Sequence, residues 1–386
     1  MKRVTVGFIP LTDAAPIIAA RACGFAAEAG LDLELVREVS WANIRDKLSV
    51  GLLDAAHMLA PLALASTLGI GHVRVPIAAP LTLALNGNAI TLAMAFLDEV
   101  GDMPDDPVAA LGPIAAAIRR RREAGLAPPA FAMTFPFSTH NYLLRAWFAA
   151  GGIDPDEDVQ LVVIPPPLMV QSLEKSLIDG FCVGSPWNSL AVDRGMGRIV
   201  APSSALFGAM PEKMLAIGEA FATSDPAARD ALVGAVARGA AWCADPANAE
   251  ALAAILSQPD HLDVPAGVVL RTIEGRLVLR PGGEQAEVPH FIRFDVPGAV
   301  RPHFGRAAWL YAQMVRWGQV RFSAADLDRV RAFADASLFD RVTGLGSEAA
   351  EDGDPVESHL DPPFDPQAIE AYLAGFDGRG LPRRLA

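Results

Sequence analysis

Cysteine is scarce: Cys23, Cys182 and Cys243 are an odd number among 386 residues, without paired or metal-like spacing. Each sits among apolar neighbours and reads as a reduced packing residue, which argues against a disulfide framework or a zinc site. Long hydrophobic runs are lacking as well. The longest apolar stretch, 73–97, is broken by prolines and by Asn86-Gly87-Asn88, so it falls short of the roughly 20 uninterrupted residues a membrane helix needs. The start, MKRVTVGFIP, passes from two basic residues straight into a strand pattern. It has none of the roughly 7–15 apolar residues and small-residue cleavage site of a secretory signal, and a cytoplasmic location is the expectation.

Positive charge is in deficit, with 32 Lys and Arg against 45 Asp and Glu and a formal net charge of −13. Such a surface repels nucleic-acid phosphates, and the one dense basic run, Arg119 to Arg122, reads as the solvated face of a helix. Direct nucleic-acid binding is not expected, and a site for an anion must supply its own local positive charge. Enzyme signatures are missing too: there is no GxGxxG after the first strand, no GxxxxGK[ST], no GxSxG, no HExxH, and the seven histidines are scattered. These absences favour a binding protein over an enzyme.

What is present is a chain of 386 residues, 52% hydrophobic, long enough for one large or two ordinary domains with filled cores. VTVGFI, LDLELV and LDAAHM alternate with helical stretches over Ala14 to Ala29 and Trp41 to Gly51, the rhythm of a parallel sheet with helices on its faces. A first α/β lobe is expected over 1–97, then a connecting segment with its own helix over 98–130, between Asp- and Pro-rich stretches. A second α/β lobe is expected over 131–215, with strands at AFAMTF, VQLVVI and GFCVG. Residues 216–343 read as a helical return onto the first lobe, and 344–386 as an acidic Gly/Pro-rich tail, flexible or wrapped. Two such lobes imply a cleft, with ligands at the carboxyl ends of the strands.

Polar residues collect at loop-to-helix junctions: Trp41, Asn86 to Asn88, Thr139-His140, Gly184 to Asn188 and Pro211-Glu212-Lys213. Helix N-termini offer unpaired N–H groups and the positive end of a dipole, which suits a small anion. Each junction also has an ordinary reading. Ser40-Trp41 can be a helix cap and an aromatic covering the core edge, NGN a turn, His140 a satisfied histidine near a helix start, and Lys213 a solvated lysine.

The chain resembles the nitrate-binding protein family of NrtA and NasS, relatives of the bicarbonate-binding protein CmpA. The shared text runs through GFIPLTDAAPIIAA (7–20), EVSWANIRDKLSVGLLDAAHMLAPLALA (38–65), LNGNAITLA (85–93), THNYLLRAWFAAGGIDPDEDVQLVVIPPP (139–167), DGFCVGSPWN (179–188), PEKML (211–215) and QMVRWG (313–318). The resemblance implies an α/β, two-lobed type II periplasmic-binding-protein-like fold with the ligand in the cleft. It implies that Trp41, Asn88, His140, Gly184 and Lys213 bind the ligand: Lys213 neutralises the charge, Asn88, His140 and the Gly184 N–H donate hydrogen bonds, and Trp41 forms a wall or donates its indole N–H. Lys213 sits where the bicarbonate branch is expected to carry a carboxylate and use calcium, so no metal and no cofactor are expected. Asn88 is shorter than the Gln of transport members, Ser185 replaces the Glu of GEPWN, and PFSTH stands where many relatives have glycines.

The resemblance implies a function in one of two settings. The first is a cytoplasmic nitrate/nitrite sensor similar to NasS, which holds an ANTAR-domain RNA-binding antiterminator (NasT-like) and releases it when the anion binds. The second is the solute-binding subunit of a nitrate/nitrite ABC transporter. An enzyme on the same fold would need a reactive His or Cys cluster, which the sequence does not display.

Overall fold

The computed structural model describes residues 1–296, 298–345 and 356–383. β1 (Lys2–Phe8) buries Val4, Val6 and Phe8 and pairs in parallel with β2 (Leu31–Arg37) and β3 (Ala55–Leu59). Parallel pairing is possible because each connection carries a crossover helix. The helix expected over Ala14 to Ala29 is two pieces, Ala15–Ala22 and Phe25–Glu28, because Gly24 between them takes a left-handed φ of +81°, a conformation that ends helices and suits glycine. β4 (Ile77–Ala78) and β5 (Thr82–Asn86) complete the first pass through this lobe.

The chain then enters a second sheet. β6 (Asn88–Ala93), β7 (Ala130–Met133), β8 (Gln160–Val163), β9 (Gly180–Gly184) and β10 (Gly197–Pro202) lie in the order β10-β6-β9-β7-β8. β7 runs parallel to β8 and β9, while β6 runs antiparallel to β9 and β10. β11 (Pro211–Gly218) returns to the first sheet and inserts antiparallel between β3 and β5.

The sheets thus divide the chain elsewhere than at the expected 97 and 215. Antiparallel pairing takes Asn88–Ala93 into the second sheet, and pairing with β3 takes Pro211–Gly218 back into the first. The outward crossing is one sharp reversal, with φ of +60° at Asn86 and +87° at Gly87, values that Asn tolerates and glycine takes without steric cost. Asn86 also ties the two crossings together. Its Oδ1 accepts from Met210 N at 3.0 Å, and its Nδ2 donates to the carbonyls of Gly208 and His290, each at 3.1 Å.

The segment expected to connect the lobes, 98–130, belongs to the second lobe, between β6 and β7. It is anchored there by Trp147 Nε1 donating to the Pro107 carbonyl at 2.8 Å and by Arg122 pairing with Asp158 at 2.9 Å. The helical return packs on the first lobe through Pro226–Ala244, where Gly239 lies so close to Pro16 that a Cβ there would collide with the Pro16 carbonyl oxygen. Residues 277–291 of that return depart from the expectation, since Leu277, Val288 and Phe291 pack with Ala89, Val192 and Ile199 of the second lobe.

Of the acidic tail, 346–355 and 384–386 lie outside the described residues, and 356–383 wrap the body. Gly208 N donates to Glu357 O and His359 N to Leu206 O, both at 3.0 Å, and Arg316 pairs with Asp361 at 2.8 Å in a buried contact. Among the described residues, no helix is long and apolar enough to cross a membrane.

Candidate functional site

The first lobe contributes the turn Leu11-Thr12-Asp13, the mouth of the helix Trp41–Ser49 and the start of β11; the second contributes the start of β6, the end of β9 and the mouth of the helix Thr139–Ala150. Hydrogen bonds cross between the lobes beside this cluster. Thr12 N donates to Ser185 O at 2.9 Å, and Trp187 Nε1 donates to Pro10 O at 3.1 Å.

Ser40 caps the Trp41 helix by accepting from Asn43 N at 3.2 Å, which fixes Trp41 as its first residue. The indole is 1% exposed, its ring lies 5.3 Å from that of His57, and its Nε1 has no partner. Ser138 caps the second helix in the same way, accepting from Asn141 N at 3.1 Å. His140 follows in the first turn, fully buried, with Nδ1 2.9 Å from the Thr134 hydroxyl and Nε2 unpartnered. With Thr134 as donor to Nδ1, the neutral ring carries its proton on Nε2 as a free donor. Asn88 opens β6 directly opposite Gly184 of β9, and neither atom of its buried amide has a partner. A Cβ on Gly184 would lie 3.4 Å from Asn88 Oδ1 and from Leu11, so glycine leaves the room beside the Asn88 amide.

Lys213 is fully buried, with its Nζ 5.7 Å from the centre of the Trp41 ring. It is 2.9 Å from Asp13 Oδ2 and 2.8 Å from Glu212 Oε2. Asp13 Oδ1 in turn meets His57 Nε2 at 2.9 Å, and Glu212 Oε2 lies 3.7 Å from His140 Nε2. Neighbours on a strand normally point to opposite faces. Glu212 and Lys213 both reach the cluster because the register of β11 against β5 shifts on either side of Lys213, a bulge that re-aims side chains.

The lysine is therefore not the free countercharge expected from the resemblance: its ammonium is already held between two carboxylates. Burial opposes the charge on Lys213, but Asp13 and Glu212 outweigh it and hold its pKa above the usual value. Burial alone would raise the Asp13 carboxyl, yet Lys213 and His57 together keep it far below the ordinary range. His57 is lowered by burial, which overrides Asp13, and His140 is lowered further by burial and Lys213. Glu212 is raised, because burial exceeds the pull of Lys213. At neutral pH the cluster holds one cation, one firmly ionised carboxylate, two neutral imidazoles and one carboxyl with a raised pKa.

Seven buried side-chain N and O atoms without a partner belong to residues of this cluster: Thr12 Oγ1, Trp41 Nε1, both amide atoms of Asn88, Thr139 Oγ1, His140 Nε2 and Glu212 Oε1. The Thr139 hydroxyl is near enough to Glu212 to favour its anion but forms no well-aligned hydrogen bond. Each orphaned buried group costs on the order of 1–3 kcal/mol, so a concentration of donors marks a place for a partner. Cavities of about 890 and 800 Å³, near Ser49 and Glu219 and near Asp245 and Arg276, hold none of these residues. A small polar ligand matches the closed polar cluster better than those wide grooves. Among the described residues, no three His, Cys, Asp or Glu side chains assemble as a metal site.

The structure thus brings Trp41, Asn88, His140, Gly184 and Lys213 into one neighbourhood. Asn86 and Asn188, from the same junctions, are structural: Asn188 accepts from the Thr91 hydroxyl at 2.9 Å and donates to Val183 O at 2.8 Å. Sequence reasoning missed Asp13 and His57. The available signal was a histidine inside the buried strand AAHML, which requires a polar partner.

The model of the NMT1-like family matches residues 1–257. The nitrate/nitrite binding protein NrtA of Synechococcus elongatus is 34% identical, over 99% of this chain and 87% of that protein. The bicarbonate transport ATP-binding protein CmpC of the same species is 36% identical over 95% of this chain, but the match spans only 54% of CmpC. The crystal structure of the periplasmic nitrate-binding protein NrtA from Synechocystis PCC 6803 superposes with a TM-score of 0.88 at 29% identity, covering 97% of this chain and 98% of that one. The expected two-lobed type II periplasmic-binding-protein fold is the observed one.

Proposed function

The chain belongs to the NMT1-like family, among the relatives of NrtA, and from that premise we propose that it binds nitrate or nitrite in the interlobe cluster. The observation that carries this reading is the set of unpartnered donors, Trp41 Nε1, Asn88 Nδ2, His140 Nε2 and the Thr12 and Thr139 hydroxyls, closed between two lobes. A small planar anion with three or two acceptor oxygens satisfies several of them at once. Neutral hydrogen bonds of about 1 kcal/mol each, with one charge-assisted contact of about 1.5–3, give micromolar affinity after the cost of association. The ligand role of Trp41, Asn88, His140, Gly184 and Lys213 is part of this proposal. Lys213 acts as the anchor of the acidic pair and as a cation over Trp41.

The finer role we assign is a cytoplasmic sensor that sequesters an ANTAR-domain RNA-binding antiterminator and releases it on anion binding. Support comes from the net charge of −13, which suits a basic partner, and from the interlobe hydrogen bonds of Thr12 to Ser185 and Trp187 to Pro10, contacts whose making or breaking a ligand between the lobes can bias. The second reading is the solute-binding subunit of a nitrate/nitrite importer, favoured by the transport and import names of some of its relatives.

Calorimetric titration of the anion-free protein with nitrate, nitrite, chloride, and bicarbonate with calcium tests the ligand. Micromolar nitrate or nitrite binding is expected, and silence with both refutes the reading. Co-purification with an ANTAR-domain protein that nitrate disperses is expected of the sensor; no association with or without the anion leaves the importer.

A further inference from the structure

We infer that Glu212 takes up one proton when the anion binds and donates it, as a neutral carboxyl, to an anion oxygen. The inference rests on the function proposed above and adds a regulation of that site. Its ground is charge and geometry. Lys213 is a single cation placed between two carboxylates, at 2.9 Å from Asp13 and 2.8 Å from Glu212. The groups facing Glu212 are Lys213 beside it on β11, Asp13 from the turn after β1, His57 from β3 beyond Asp13, His140 from the second-lobe helix and Cys182 from β9. With both imidazoles neutral and both carboxyls ionised, the cluster carries one net negative charge. A second negative charge entering this water-excluded space is opposed at close range.

The two carboxylates differ in how easily they release that charge. Asp13 uses both oxygens, one on Lys213 and one on His57. Glu212 holds Lys213 through Oε2 alone; its Oε1 is buried without a well-aligned partner, with the Thr139 hydroxyl near the carboxylate as a weaker neighbour. Burial has already shifted Glu212 toward the neutral form, and an added anion shifts it further in the same direction. A proton from bulk water then resides on Oε1, the Oε2 contact to Lys213 persists, and the new O–H meets an anion oxygen. Protein with ionised Glu212, one proton and one nitrate give the complex with neutral Glu212, so charge balances.

This assignment also bears on selectivity. Nitrate carries no proton, so it needs Glu212 as a donor, whereas bicarbonate has its own O–H and can donate to an ionised Glu212. Rising pH therefore weakens nitrate specifically.

The test is calorimetric titration of the wild-type protein with nitrate between pH 5.5 and 9, repeated in buffers of different ionisation enthalpy. The expected result is uptake approaching one proton per nitrate, with affinity falling toward tenfold per pH unit on the alkaline side. In Glu212→Gln, whose amide donates without titrating, the proton uptake and the pH dependence disappear. Should that variant fail to fold, the infrared difference spectrum of wild type with and without nitrate answers instead, by a gain of neutral carboxyl at the expense of carboxylate. Wild-type affinity independent of pH, or proton uptake that persists in Glu212→Gln and so comes from the histidines, overturns the inference. Absence of nitrate binding at every pH overturns the proposed function itself, a distinguishable outcome.

Discussion

Replacing Lys213 by Met keeps most of the side-chain volume and removes the one cation that Asp13 and Glu212 share. Both carboxyls are buried, at 3% and 0% exposure, so neither can turn to water. Breaking a buried pair by removing one partner costs about 3–5 kcal/mol. Here Glu212 relieves part of that loss, because its pKa is already raised and it takes a proton readily. Asp13 has only His57 left, at 2.9 Å. We therefore expect a loss near the lower end, about 3 kcal/mol at pH 7, from a total that for most domains is about 5–15 kcal/mol. Urea denaturation followed by circular dichroism reads it as a lower midpoint with an unchanged slope. The triple variant Asp13→Asn, Lys213→Met, Glu212→Gln removes all three charges, and we expect it to recover to within about 1 kcal/mol of wild type. A single variant that loses less than about 1 kcal/mol, or a triple variant no more stable than the single, refutes the claim that Lys213 is held as a buried countercharge.

Three other perturbations separate packing from binding. Trp41→Phe keeps a ring against His57 but removes the unpartnered Nε1, so stability changes little while nitrate affinity drops by about 0.5–1.5 kcal/mol; titration of an equally stable variant with undiminished affinity contradicts the indole as donor. Asn88→Leu removes two orphaned buried atoms at similar volume, so the midpoint of denaturation is kept or raised while nitrate binding is lost; retained binding removes Asn88 from the site. Acid stability follows from the histidines, whose folded pKa values lie below the unfolded value of about 6.5. Their contribution is present above that pH and is lost as pH falls, by up to about 1.4 kcal/mol per pH unit for each. Glu212, raised in the folded state, acts in the opposite sense: its contribution is present at low pH and lost as pH rises through its folded pKa. His140→Gln should flatten the fall of denaturation midpoint between pH 6.5 and 5, and an unchanged slope counts against a buried neutral His140.

The division into strands and helices was legible because periodicity is local: VTVGF, LDLELV and GFCVG are strands as their patterns suggest. Sheet membership was not, since Thr82–Asn86 and Asn88–Ala93 are equally apolar and differ only in their distant partners, β11 for one and β9 for the other. The site divides along the same line. Trp41 and His140 follow capping serines that can be read directly, while Asp13 meets Lys213 across 200 residues and no local pattern joins them. Glu212 breaks the two-residue period of its own strand through the register shift at Lys213, so alternation alone would have turned it away from the cluster. Lys213 is legible in the sequence as a cation, but its two partners, Asp13 and Glu212, are invisible until the fold is known.

A crystal structure of the nitrate complex shows whether the unpartnered polar atoms between the lobes are the contacts of a small anion. The expected result is planar density for one anion within hydrogen-bond reach of Trp41 Nε1, Asn88 Nδ2 and His140 Nε2, with Lys213 still between Asp13 and Glu212. Water alone among those atoms at saturating nitrate, or nitrate bound elsewhere on the molecule, contradicts it.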